Sequence, residues 1–124
     1  MSAKFNVKKT NAGFSFNLVA PNGEIIGRSE VYNSKNACLN GVESVRKNSV
    51  AASVEDQTVK DFTTEKNPKF EIFLDKAGEF RFRLKATNGE IILASEGYTA
   101  KQGCKNGIES VQKNAPNAAL NFIE

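Results

Sequence analysis

The chain contains no histidine and only two cysteines in 124 residues. Without histidine it lacks the commonest general base and the commonest metal ligand at neutral pH. Cys38 and Cys104 stand far apart with no Cys-x-x-Cys spacing, which excludes a zinc site of the usual kind. Each falls on the apolar stripe of a predicted helix with no basic neighbour on that face, so both read as buried structural thiols rather than nucleophiles. No apolar run approaches the length of a membrane span, and the start, Met-Ser-Ala-Lys-Phe-Asn, has no signal-peptide core. A cytoplasmic protein with reduced thiols and no membrane association is the expectation. Paired carboxylates are missing too: Glu24 and Glu30 lie on one predicted strand but five residues separate them, and Glu90 and Glu96 only repeat that arrangement. No catalytic residue, metal or cofactor is predicted, and the chain reads as a non-enzyme.

The chain does contain one segment written twice. At an offset of 66, residues 22–48 and 88–114 agree at 17 of 27 positions. The agreement includes Asn-Gly-Glu-Ile-Ile, Ser-Glu, the tyrosines 32 and 98, both cysteines, Asn-Gly, Glu-Ser-Val and Lys-Asn. Upstream, residues 5–13 match 70–78 at an offset of 65, with Glu79 as a one-residue insertion. The protein is a tandem repeat of one supersecondary unit. Hydrophobic residues make up 40% and charged residues 25%, ordinary for a globular domain, and this length suffices for one core. The net charge of +3 is uneven: residues 1–49 carry seven basic and three acidic side chains, and residues 70–124 carry seven of each. That excess is weak beside the concentrated basic face of dedicated nucleic-acid domains.

Within each copy, period-two alternation marks strands: Phe5 and Val7, then Phe14, Phe16 and Leu18, and correspondingly Phe70, Ile72 and Leu74, then Phe80, Phe82 and Leu84. Turns at Thr10–Gly13, Pro21–Gly23, Asp75–Gly78 and Asn88–Gly89 join them to third strands over 24–32 and 90–98. Helices are predicted over 34–48 and 100–114, N-capped by Asn33 and Thr99 and ended by Asn48 and Asn114 in a left-handed conformation. Gln102 stands where a capping-box partner belongs. Gly41 and Gly107 lie on the core stripe, where close approach of helix and sheet would leave no room for a Cβ. Final strands are predicted at 50–54 and 118–123. A βββαβ unit cannot close a core alone, so one α+β domain is expected over 1–124. Repeat 1 (about 5–54), a linker (about 55–69) and repeat 2 (about 70–123) form a single antiparallel sheet with both helices on one face and pseudo-twofold symmetry. A monomer follows, because the copies cover each other's open faces.

Phe-x-Phe-x-Leu, Asn-Gly-Glu-Ile-Ile, Ser-Glu-x-Tyr and Asn-Gly-[Val/Ile]-Glu-Ser-Val-x-Lys-Asn together resemble the YegP-like family of small bacterial proteins of uncharacterised function. The resemblance covers nearly the whole chain. It implies units that share one sheet and exchange their C-terminal strands, with single-unit members pairing as dimers, and it supplies no activity.

Two surfaces are candidates for binding. Asn40, Glu43 and Lys47 lie opposite the core stripe of the first helix, and Asn106, Glu109 and Lys113 repeat them, although packing does not constrain solvent-facing positions. Glu–Lys pairs four apart on a helix are one local explanation, worth roughly 0.3–0.5 kcal/mol each, and recent duplication of the segment, which needs no partner, is the other. The second surface is Arg81, Arg83 and Lys85, which alternate with Phe80, Phe82 and Leu84 and therefore share the sheet face away from the helices. Acids on neighbouring strands, Glu71 and Asp75, are expected to neutralise this row, and Phe73 to pack against an arginine stem. Left unpaired, the row would contact phosphates. Its first-copy counterparts are Ser15, Asn17 and Val19, so importing those residues is expected to leave the fold intact. The sequence favours a binding or adaptor module with an unknown protein or ligand as partner, with weak binding of nucleic acid or another polyanion as the alternative.

Overall fold

The computed structural model of the protein describes residues 2–123. Repeat 1 contributes β1 (Lys4–Thr10), β2 (Gly13–Val19), β3 (Ile25–Arg28), α1 (Lys35–Ala51) and β4 (Ser53–Asp56). Repeat 2 contributes β5 (Lys69–Leu74), β6 (Phe80–Lys85), β7 (Ile91–Ala94), α2 (Lys101–Asn114), a 3-10 turn (Ala115–Asn117) and β8 (Ala119–Ile123). All eight strands form one sheet in the order β4-β5-β6-β7-β3-β2-β1-β8. The inner six are antiparallel, while β4 joins β5 and β8 joins β1 in parallel, so the sheet is mixed rather than wholly antiparallel.

The halves meet between β3 and β7, where Arg28 opposes Ala94, its own counterpart at the offset of 66. A residue pairing with its equivalent marks a pseudo-twofold axis. An ion pair from Arg28 to Glu96 at 2.9 Å crosses the same seam.

The C-terminal strands are exchanged, and helix length explains why. At 1.5 Å per residue the 17 residues of α1 run about 25 Å, roughly five strand spacings. Starting over β2, α1 crosses to β7, β6 and β5 of the other repeat, so β4 emerges beside β5. In the second copy α2 is 14 residues long, Pro116 directs the chain into the 3-10 turn, and β8 lands beside β1.

The core is two copies of one aromatic arrangement. Phe5 packs edge-on to Phe16 at 5.6 Å and Phe16 stacks with Tyr32 at 6.3 Å; Phe70, Phe82 and Tyr98 repeat this at 5.9 and 6.5 Å. Cys38, Val42, Val45, Cys104, Ile108 and Val111 close it from the helix side. A Cβ on Gly41 would lie 2.5 Å from the Tyr32 hydroxyl, and one on Gly107 2.5 Å from that of Tyr98. Glycine is therefore required at both, with the tyrosine rings as the close neighbours.

Several local expectations differ from the structure. Ser34, not Asn33, caps α1, its side chain accepting from the Ala37 N–H at 3.1 Å; Ala100, not Thr99, precedes α2, with no side-chain cap. Gln102 donates to Asn106 at 3.0 Å instead of closing a capping box. Asn48 does not end α1, which continues to Ala51. It is buried, donating to the Ser44 carbonyl at 2.8 Å and accepting from Thr87 of the other repeat at 3.2 Å. Asn114 is in right-handed helical geometry. β3 is shorter than the predicted 24–32, with an isolated bridge from Phe14 to Tyr32 beyond it.

The segment between the repeats is no loose linker. Glu55 and Asp56 belong to β4 and Lys69 to β5, and the intervening residues fold back onto a buried charge cluster. Lys69 Nζ lies 2.8 Å from Glu55 and 3.4 Å from Glu71; Gln57 donates to both carboxylates, and the Glu65 N–H donates to Glu55 at 2.7 Å. The counterparts of the two carboxylates in the other half are uncharged: Asn121 donates to Asn6 at 2.9 Å where Glu55 and Glu71 would stand.

Candidate binding site: two equivalent clefts between the repeats

Arg81, Arg83 and Lys85 lie on the outer sheet face, and each has a carboxylate partner. Arg81 Nε is 2.6 Å from Asp75, Arg83 Nε is 2.6 Å from Glu71, and Lys85 Nζ is 3.3 Å from Glu71. The Arg83 guanidinium also sits 4.4 Å from the centre of the Phe73 ring. Burial would raise the Glu71 carboxyl, but its contacts with Arg83 and Lys85 hold it below the usual range; Arg81 and the N–H groups of Glu79 and Ala77 lower Asp75. With Lys69, four cations face Glu55, Glu71 and Asp75. Exchanging the three cations for Ser, Asn and Val is therefore not structurally mild, because Glu71 is 3% exposed and would lose Arg83 and Lys85.

The repeated helix residues are placed differently. Asn40, Glu43, Lys47, Asn106, Glu109 and Lys113 are all exposed. The expected Glu43–Lys47 pair is not formed: Glu43 binds Arg46 at 3.0 Å, and Glu109 and Lys113 make no ion pair among the described residues. Arg46 has Gln112 as its counterpart, so this contact is not shared between the copies. Helix-stabilising pairs thus do not account for the repeated Glu and Lys.

What the structure adds is the neighbour of this helix face. Because each helix crosses the axis, α1 lies against the β6–β7 hairpin and α2 against the β2–β3 hairpin. A cleft of about 380 Å³ is lined by Asn40, Glu43, Ser44 and Lys47 of α1 with Thr87 and Asn88 of the hairpin. Its counterpart, about 310 Å³, is lined by Asn106 and Ser110 of α2 with Asn22 and Glu24, and includes Tyr98 and Ile26. At the offset of 66, Asn40 corresponds to Asn106, Ser44 to Ser110 and Asn88 to Asn22. The two most faithfully duplicated motifs, Asn-Gly-Glu-Ile-Ile and the helix motif with Asn-Gly and Glu-Ser-Val, thus meet in space, each cleft taking one from either repeat. Glu109 and Lys113 do not line the second cleft.

The Tyr98 hydroxyl lies beneath Gly107 at the helix side of the second cleft; the Tyr32 hydroxyl lies likewise beneath Gly41 but does not line the first cleft. Burial, then Glu30, Cys38 and Glu90 of the opposite hairpin, push Tyr32 up to about 12. Burial, then Cys104 and Glu24, raise Tyr98. Both hydroxyls stay protonated at neutral pH, and neither hydrogen-bonds to a protein group among the described residues. Both clefts present amide and hydroxyl groups, and the second adds the Tyr98 phenol, suited to hydrogen-bonding a polar partner. Ser44, Ser110, Asn22, Asn88 and Tyr98 were not singled out from the sequence as site residues. Their identity between copies was visible, but the hairpin motif reads as turn chemistry until the crossing of the helices brings it to the other copy's helix.

Both thiols are fully buried; burial pushes Cys38 up, and burial with Asp56 pushes Cys104 up to about 11. Among the described residues no group of three His, Cys, Asp or Glu side chains could hold a metal ion, and no helix is long and apolar enough to cross a membrane.

The family described as "Domain of unknown function (DUF1508)" matches twice, at residues 10–56 and 75–121. A UPF0339 protein of Pseudomonas aeruginosa is 40% identical over 121 residues, covering 97% of this chain and 96% of the relative. A UPF0339 protein of the archaeon Methanosarcina acetivorans is 54% identical over 56 residues, 45% of this chain but 97% of its own length, so single-unit relatives exist and the family is not confined to bacteria. The solution structure of the protein of unknown function yegP from E. coli superposes with a TM-score of 0.80 at 32% identity, covering 98% of this chain and 93% of that one.

Proposed function

The chain belongs to the DUF1508 family of unknown function, and we propose that it acts as a non-catalytic binding module that holds a partner at its two inter-repeat clefts. One observation carries this reading: solvent-facing residues with no packing role are the same in both copies, and they meet the duplicated hairpin of the opposite repeat. The absence of histidine, the buried protonated thiols and the engagement of the buried carboxylates by Lys69, Arg83 and Lys85 support a binding role over a catalytic one. The module works as a monomer, because both C-terminal strands already find their partners within one chain. The alternative, polyanion binding by Arg81, Arg83 and Lys85, has less support, since those cations are held by Glu71 and Asp75.

The test is affinity capture from source-cell lysate with wild type, Asn40→Ala, Asn106→Ala and the double variant, all with unchanged melting temperature. Capture of one discrete partner should weaken in each single variant and vanish in the double. Equal capture by the double variant would remove the clefts from the account.

A further inference from the structure

The two ends of the sheet are built alike but finished differently. At one end, β4 places Asp56 toward the helix layer, 2.9 Å from Lys101 at the start of α2. Burial opposes ionisation of Asp56, yet Thr58 and Lys101 hold its carboxyl low. At the other end the counterpart of Lys101 is Lys35, and the counterpart of Asp56 is Phe122. Lys35 Nζ lies 4.4 Å from the Phe122 ring centre and has no carboxylate partner among the described residues. Beside it opens a hollow of about 570 Å³ lined by Val7, Lys9, Thr10, Phe14, Lys35 and Phe122.

β8 borders this hollow and has one unpaired edge in the described structure. Its sequence, Ala-Leu-Asn-Phe-Ile, carries no charge, and Leu120, Phe122 and Ile123 are 41–49% exposed. Bare apolar edge strands invite another strand, and proteins usually guard them with charge. β4, with Glu55 and Asp56, is guarded in that way; β8 is not. Lys4, Lys8 and Lys9 on the adjoining β1 make the surroundings positive.

We propose that the β8 edge and its hollow receive an extended segment of a partner protein in which a carboxylate stands between apolar side chains. The segment adds as a ninth strand, gaining affinity from main-chain hydrogen bonds. An apolar side chain enters the hollow against Val7, Phe14 and Phe122, and the carboxylate takes the place on Lys35 that Asp56 fills on Lys101. A second copy of this chain fits less well, because the acids of its β4 are already bound to Lys69 and Lys101. This surface is separate from the inter-repeat clefts.

The experiment selects short peptides from a random display library on the full chain, then measures binding of the enriched peptides by fluorescence anisotropy. Enriched sequences should place Asp or Glu two residues from Val, Ile, Leu or Phe, so that both side chains face the hollow, and salt should weaken them. Phe122→Asp supplies Lys35 with an internal carboxylate, as in the other half, so it should lower affinity by about tenfold or more with the fold retained. Lys35→Glu should do the same, and Lys105→Glu, an exposed change of equal charge, should bind like wild type. Asn40→Ala/Asn106→Ala should also bind like wild type, which separates failure here from failure of the cleft reading. No enrichment, basic enriched sequences, or equal binding by Phe122→Asp and Lys35→Glu would overturn the proposal. So would a concentration-dependent wild-type oligomer that Phe122→Asp abolishes, since a second copy would then be the occupant.

Discussion

Replacing Glu55 with Gln removes one charge from the buried cluster while keeping shape. Glu55 is 2% exposed, and its oxygens accept from Lys69 Nζ at 2.8 Å, Gln57 at 2.6 Å and the Glu65 N–H at 2.7 Å. Burial alone would raise this carboxyl, but Lys69, Gln57 and the Glu65 N–H outweigh it and hold it at about 2. Against an ordinary glutamate near 4.3, that depression corresponds to about 3 kcal/mol of stability at neutral pH. Removing one partner of a buried ion pair typically costs about 3–5 kcal/mol, and Glu71 still compensates Lys69 at 3.4 Å, so the lower end applies. Urea unfolding of wild type and Glu55→Gln at pH 7 should differ by about 3 kcal/mol, a midpoint shift of about 1–3 M with the slope unchanged. Because the folded pKa is depressed, this contribution is present above the unfolded value and is lost as pH falls through the folded one. The difference between the two proteins should therefore shrink between about pH 4 and pH 2. A loss under about 1 kcal/mol at pH 7, or a difference that does not shrink in acid, would refute this account of the cluster.

Cys38 and Cys104, fully buried with raised pKa values, should react slowly with a thiol probe in the native state and rapidly in denaturant; fast native labelling of either would reopen a nucleophilic role. A chain cut after Pro68 leaves β4 without β5 and β1 without β8, so light scattering should find an exchanged dimer or an unfolded chain, and a folded monomer would contradict the exchange. Replacing Arg81, Arg83 and Lys85 by Ser, Asn and Val should lower stability by about 3 kcal/mol by leaving Glu71 without Arg83 and Lys85. Adding Glu71→Asn, which completes the first-repeat arrangement with Asn6, should recover part of it in thermal melts.

The duplication made most of the fold readable. Alternating Phe16 and Leu18, or Phe82 and Leu84, locate the inner strands, and the shared stripe through Cys38, Val42 and Val45 locates the helix. What stayed hidden depends on distance in the chain. Asn48 resembles a helix terminator locally, yet its partner Thr87 is 39 residues away. The polar run after β4 reads as a linker because the burial of Glu55 depends on Lys69, which follows it by 14 residues. The candidate site was half legible: the helix faces with Asn40 and Asn106 show in the repeat, but Asn88 and Asn22 join them only because each helix crosses to the other copy.

The most direct test of the central claim is amide shift mapping by NMR of the labelled chain titrated with the partner that the wild-type protein captures. Matched perturbations are expected at Asn40, Ser44 and Asn88 and at Asn106, Ser110 and Asn22, with both clefts filling. Perturbations confined to the outer sheet face around Arg81, Arg83 and Lys85, with both clefts silent, would contradict it.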